Sequence, residues 1–302
     1  MNIIFFNQFH NGDCFVGKGW VQNIIAQIPE AKFYYAHGNN PDIIRDLPAE
    51  YITLGDIPDL PNRTRIVQNE DGDIFINTWC GAFQGELFNT HSNYIVQHRM
   101  YEIYCERLTQ LLGRPITQST NPHDYLPEMD FNQYDVDGAL NFLSKHGRIN
   151  LFCNGSAMSG QSAVGDMSGI IARLCQEFPQ EPFVATYDTG LRYDNLHYTQ
   201  DIFNLSSDLN QIAFLSQRAG LIVGKNSGPY TYCQFKRNME RDDVTFFCFG
   251  KLLTDCLNAG LEFPARFKFS DQTNEQLLHG MLHRHLSQTA PGYRTGMQHI
   301  YA

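Results

Sequence analysis

Three clusters in this 302-residue chain stand out because their side chains and spacing can do chemistry. The first is Asn7-Gln8-Phe9-His10-Asn11-Gly12-Asp13, which follows the apolar run Ile3–Phe6. Glycine permits a tight turn or a close backbone approach. A carboxylate at the end of a strand can take a proton from an attacking hydroxyl. Asp13 is therefore a candidate base and His10 the alternative, while Lys18 can face a phosphate. An aspartate so placed also serves as a helix cap or closes an Asx turn.

The second cluster is Asn154-Gly155-Ser156-Ala157-Met158-Ser159-Gly160-Gln161-Ser162, and the third is Gly224-Lys225-Asn226-Ser227-Gly228-Pro229-Tyr230. Each lies between an apolar run and a helical pattern. Small residues leave backbone N–H groups accessible, and a helix start adds its positive end. Gly155, Ser156, Ser159, Gly160, Gln161 and Ser162 thus suit an anion such as a diphosphate, without matching a Walker loop or a strict G-x-G-x-x-G. In the third cluster Asn226, Ser227 and Gly228 offer a second cradle. Pro229 fits a first helical turn, and Lys225 can balance charge on a departing diphosphate. Asp188, in Tyr187-Asp188-Thr189, is a candidate for a base or ribose hydroxyl, and Trp79-Cys80-Gly81 can shape an acceptor pocket. His279, His283 and His285 read as surface histidines, and no metal site is expected. No paired-carboxylate, Ser-His-Asp or Cys-His pattern is legible from spacing.

The elements that must position these clusters alternate. Ile3–Phe6, Lys32–Ala36, Tyr51–Leu54 and Asp73–Trp79 read as strands, with Asn7–Gly19 as a loop before a helix from Trp20 to Ile28. Pro41–Leu47 is a short helix and Tyr94–Leu112 a longer one. Ile116–Asp137 lacks periodicity and reads as a connection, leading into a helix over Val136–Lys145. The alternation then restarts, with strands at Ile149–Cys153, Pro182–Thr186, Ile202–Leu205, Leu221–Gly224 and Val244–Phe249. Helices are expected over 163–178, after Ser207 or Asp208, from Pro229 through Phe235, and over Thr273–Leu286. Strand–helix alternation implies parallel sheets covered by helices. The expected fold class is α/β, with two facing Rossmann-like domains and a central cleft, residues 1–135 forming an acceptor domain and 136–302 a donor domain. Ligands of such sheets bind at the carboxyl ends of the strands, where all three clusters fall.

Composition narrows the partners. Hydrophobic residues at 42% and charged residues at 18% suit a globular chain rather than a disordered one. A net charge of −10 argues against a broad nucleic-acid surface. Met1–Phe6 is no signal peptide, and no run reaches the ~20 apolar residues of a membrane span. The eight cysteines are scattered without a Cys-x-x-Cys pair, which suggests buried thiols in a cytoplasmic protein.

The layout resembles the GT-B glycosyltransferases, and among them the lipopolysaccharide heptosyltransferase family. Met1–Ile28 is similar to that family's opening, Ile149–Ser162 to its second-domain opening, and Asp208–Tyr232 to its helix–strand–Asp-Ser/Thr-Gly-Pro–helix donor site. Asn226 stands where the family usually has Asp, and Thr231 where His commonly follows. The resemblance implies Asp13 as catalytic base and an inverting, metal-independent transfer. The donor would be a nucleotide-sugar, the acceptor a carbohydrate or other hydroxyl, and no further cofactor is implied. A non-catalytic nucleotide- or sugar-binding relative, and a transferase acting on a nucleic-acid base, remain the alternatives.

Overall fold

The computed structural model describes the chain except for residues 10, 39–40, 84–92, 156–164, 204–207, 226, 251–261 and 290–302, and the side chains of 93 and 122. The chain divides into two units, with a break between Asp135 and Val136. Gln234–Glu240, and further along Glu262 and Phe263, group with the first unit.

The first unit is built on a five-stranded sheet of order β3-β2-β1-β5-β4. Its strands are β1 (Asn2–Asn7), β2 (Lys32–His37), β3 (Glu50–Ile52), β4 (Ile66–Gln68) and β5 (Ile74–Asn77). All pairings are parallel except β4 with β5. Ile3, Ile4, Phe5 and Phe6 are all buried, as a strand covered on both faces requires. Ile4 and Phe6 pack with Ala36 and Phe75 on one face.

Helix α1 spans Asn11–Gln27, so it begins where the sequence suggested a loop. Glycines at 12, 17 and 19 disguise it, because each lowers helix propensity. Packing supplies the compensation. A Cβ at Gly19 would sit 1.9 Å from the Tyr125 carbonyl oxygen, so only glycine lets α1 lie against that segment. Trp20, buried in α1, donates its indole N–H to Gln97 of α2 (Asn93–Leu112) at 2.5 Å.

The stretch read as a connection is part of the first unit. It forms 3-10 turns at Pro122–Tyr125 and Phe131–Gln133, capped by Asn121 and Asp130. Tyr125 and Leu126 are buried there. Its composition hid this, since isolated apolar residues between turns have no period to detect.

The second unit carries a six-stranded, all-parallel sheet of order β11-β10-β9-β6-β7-β8. The strands are β6 (Ile149–Cys153), β7 (Phe183–Ala185), β8 (Leu196–Tyr198), β9 (Ala219–Gly224), β10 (Thr245–Phe249) and β11 (Arg266–Ser270). The helices are α3 (Asp137–His146), α4 (Ser168–Glu177), α5 (Thr199–Ile202), α6 (Leu209–Ser216), α7 (Gly228–Tyr232) and α9 (Glu275–Thr289), with α8 (Lys236–Met239) in the first unit. Phe152, Val223 and Phe247 of the sheet pack with Ile171 and Leu174 of α4 and Leu282 of α9 in one core.

Several expected boundaries shift. Of the strand expected at Ile202–Leu205, Ile202 ends α5 and residues 204 and 205 lie outside the described residues, while strand β8 comes earlier, at Leu196–Tyr198. Helix α4 begins at Ser168, where Asp166 accepts from the Ser168 amide at 2.9 Å. Helix α7 is only five residues long and stops at Tyr232. Strands β4 and β11 were not legible. β11 alternates exposed Arg266 and Lys268 with Phe267 and Phe269 at the sheet edge, and edge strands are commonly short and charged.

Candidate functional site

In each sheet one pair of neighbouring strands marks where the strand order reverses. In the first unit it is β1 with β5, because the chain runs from β1 outward through β2 and β3 and then returns on the other side. In the second it is β6 with β9, because β7 and β8 lie on one side and β10 and β11 on the other. Such reversals leave a crevice at the carboxyl ends of the strands.

Asp13 lies at the first reversal, in the opening turn of α1 and half-buried. It is thus inside the helix rather than ahead of it. A helix start favours negative charge there. Cys80, in the 3-10 turn that follows β5, points its thiol at Asp13 Oδ1 from 3.9 Å. Burial, and then the Asp13 charge, push the Cys14 and Cys80 thiols well above their ordinary range, so both stay protonated. The neighbouring polar groups are committed to the loops. Asn7 Nδ2 donates to Thr78 Oγ1 at 3.1 Å, Asn7 Oδ1 accepts from the Phe9 amide at 3.0 Å, and the Tyr35 hydroxyl meets Thr78 Oγ1 at 2.7 Å. Phe9 and Trp79 stack at a centroid distance of 3.7 Å, both half-buried. Their stacking could not be read from the sequence, because it needs β1 and β5 side by side. His10 lies outside the described residues.

Lys18 does not face a ligand. It is fully buried in α1 and its ammonium contacts the Asp46 carboxylate, itself shut off from water. Asp46 also accepts from the Tyr134 hydroxyl at 2.5 Å and the Asp130 amide at 3.0 Å. Burial pulls the Lys18 ammonium below its usual range, against the opposing pull of Asp46 and Asp130. A lone Lys in a polar, glycine-rich run reads as exposed because the partner that permits its burial is distant in sequence.

At the second reversal, Cys153 of β6 pairs in register with Gly224 of β9. The residues that follow them, Asn154-Gly155 and Lys225, therefore emerge side by side. Lys225 is buried, and its Nζ donates to the Gly165 carbonyl at 2.6 Å, which ties the far end of the β6 loop to β9. Burial lowers the affinity of Lys225 for its proton, and Asp166 works the other way. Ser227 caps α7 with extended backbone, and its hydroxyl, closed to solvent, has no hydrogen-bond partner among the described residues. Buried polar atoms without a partner are uncommon and call for an explanation. Gly228 has room, since a Cβ there would meet only Leu209 methyls at 3.8 Å, and Pro229 occupies the first turn of α7. Gly224, by contrast, must be glycine, with Tyr230 ring carbon 2.5 Å from a Cβ built there. Ser156, Ser159, Gly160, Gln161, Ser162 and Asn226 lie outside the described residues.

The chain has the GT-B fold. It superposes on a glycosyl transferase of family 9 from Veillonella parvula with a TM-score of 0.54 at 12% identity, over 93% of this chain and 90% of that one. It matches the E. coli ADP-heptose LPS heptosyltransferase II with a TM-score of 0.53 at 13% identity, over 95% and 99% of the two chains. E. coli heptosyltransferase WaaC with ADP-2-deoxy-2-fluoro heptose gives 0.53 at 10% identity, over 96% and 100%. No family model and no curated protein matches the sequence.

Within this GT-B chain, the sheet joins Gly155 with Lys225, Ser227, Gly228 and Pro229 at one carboxyl edge. Asp188 stands apart from them after β7. Its carboxylate is taken by Arg192 in a two-pronged pair at 2.9 Å, by the Gly190 amide at 2.7 Å and by Gln200 at 2.9 Å. Asn154 links the two loops, accepting from the Tyr187 amide and donating to its carbonyl, each at 2.9 Å. No described helix is long and apolar enough to cross a membrane. The seven described cysteines are all buried thiols, and of the late histidines His285 is buried rather than exposed.

Proposed function

We propose that this chain is a glycosyltransferase that moves a sugar from a nucleotide-sugar to an acceptor hydroxyl, with inversion and without a metal or further cofactor. The observation that carries the reading is the carboxyl edge where β6 and β9 run in register, which carries buried Lys225 and a Ser227 hydroxyl that has no hydrogen-bond partner among the described residues. Backbone N–H groups, a hydroxyl and an ammonium together suit a diphosphate. Asp13 takes the acceptor proton as that oxygen attacks the anomeric carbon. The carbon–oxygen bond to the diphosphate breaks, and its electron pair leaves on the nucleotide, where Lys225 offsets the new charge. Similarity to heptosyltransferases puts ADP-sugars first among donors to try.

The test is a thermal-shift screen with sugar nucleotides, followed by transfer assays on the best binder. Replacing Asp13 by Asn should cut transfer about a hundred- to ten-thousand-fold while leaving donor affinity within about twofold. Full turnover in that variant would remove Asp13 from the role of base. Donor binding without any transfer in the wild type would favour the binding-module reading, to which Asn226 and Thr231 lend support as departures from the family pattern.

A further inference from the structure

A second concavity, of about 480 Å³, opens at the opposite edge of the second unit's sheet, where β6, β9, β10 and β11 begin. Arg148, Gly220, Thr245, Arg266, His285 and Thr289 line it, with Asp243 at its rim. The volume lies in the range of small-molecule sites. Its wall is basic although the whole chain carries −10.

The two guanidinium groups are held by backbone rather than by acids. Arg148 Nη2 donates to the Asp243 carbonyl at 2.8 Å and Arg266 Nη2 to the Asp242 carbonyl at 2.9 Å. Among the described residues neither forms an ion pair at contact distance. The one acid of the lining, Asp243, gives its carboxylate to Arg241, at 2.8 Å from Nε and 3.2 Å from Nη2. Gly220 is part of the arrangement, since a Cβ there would meet Arg148 Nε at 2.2 Å. His285 is buried on α9 against Phe247. Burial first, then the charges of Lys268, Arg266 and Arg148, push its imidazole down to about 4. Two oriented guanidinium forks converging on one cavity, with their charge only partly offset, are matched to tetrahedral oxyanions.

We propose that this pocket binds the phosphoryl group of a small phosphorylated molecule, at a site separate from the Lys225 crevice. The cavity exceeds what a phosphate alone fills, which leaves room for an organic remainder. The groups that face His285 are Arg148 ahead of β6, Asp243 ahead of β10, and Arg266 and Lys268 on β11. A bound phosphate anion offsets the cations among them and makes His285 easier to protonate.

The experiment is calorimetric titration of the full chain with inorganic phosphate and with a hexose monophosphate, paired with NMR titration of the His285 imidazole. Both probes should bind, and the His285 midpoint should rise from about 4 when either is present. Tighter binding of the hexose monophosphate assigns the rest of the cavity to the sugar, and equal binding assigns the site to free phosphate. The Arg148→Gln/Arg266→Gln variant should lose at least tenfold in affinity, and Arg266→Lys should lose far less. Unchanged affinity in the double Gln variant, or an unmoved His285 midpoint at saturating phosphate, overturns the proposal, as does failure of both probes to bind the wild type.

Discussion

Lys225 Nζ donates to the carbonyl oxygen of Gly165 at 2.6 Å, so the end of β9 holds the end of the loop that leaves β6. One ammonium thereby does two things at the carboxyl edge: it ties two loops together and places a buried positive charge two residues before Ser227.

If that charge meets the departing diphosphate, Lys225→Met should weaken nucleotide diphosphate binding roughly ten- to hundredfold, the size of one or two charge-assisted hydrogen bonds. Ser227→Ala should also lower donor affinity, by about threefold to tenfold, yet cost no stability, because it removes a buried hydroxyl that has no described partner. Calorimetry with the donor and urea midpoints for both variants check this. Transfer should persist in excess chelator, because the cation in the proposed step is supplied by the chain.

The buried pair of Lys18 and Asp46 predicts a non-additive response to mutation. Lys18→Met strands a carboxylate, and Asp46→Leu strands an ammonium; each should cost about 3–5 kcal/mol. The double variant should recover much of that loss. Denaturant unfolding of the three proteins gives the coupling directly, and a double variant as unstable as the sum of the singles would contradict the pairing.

Two glycines that look alike in sequence should behave oppositely. Gly19→Ala drives a methyl into the Tyr125 carbonyl and should destabilise the fold by about 1–3 kcal/mol. Gly228→Ala meets only ordinary contact with Leu209 and should leave stability unchanged. Any loss of donor affinity in Gly228→Ala then reports on the ligand alone. Melting temperatures separate the two cases.

His285 predicts acid sensitivity. In the folded chain it stays neutral down to about 4, whereas in the unfolded chain it titrates near ~6.5. Between those values the unfolded chain binds the extra proton, so stability falls as the pH drops through that window. His98 and His197, also held below their usual range by burial, act in the same direction. His285→Leu should flatten the decline by at most about 1.4 kcal/mol per pH unit. Urea midpoints measured across the window check the slope.

The sequence alone determined the alternation of strands and helices, the parallel sheets, and the three small-residue clusters at strand ends, because apolar runs and turn residues are local signals. It could not decide that α1 starts at Asn11, because Gly19, one of the glycines that obscure the helix, is explained by the Tyr125 carbonyl, more than a hundred residues away in the chain. It placed Lys18 near a phosphate; the tertiary structure buried it against Asp46. Nor could it show Cys153 opposite Gly224, the pairing that brings Asn154-Gly155 beside Lys225. Strand order and ion pairing join residues distant along the chain, and no local pattern of residue types records which distant partner each will meet.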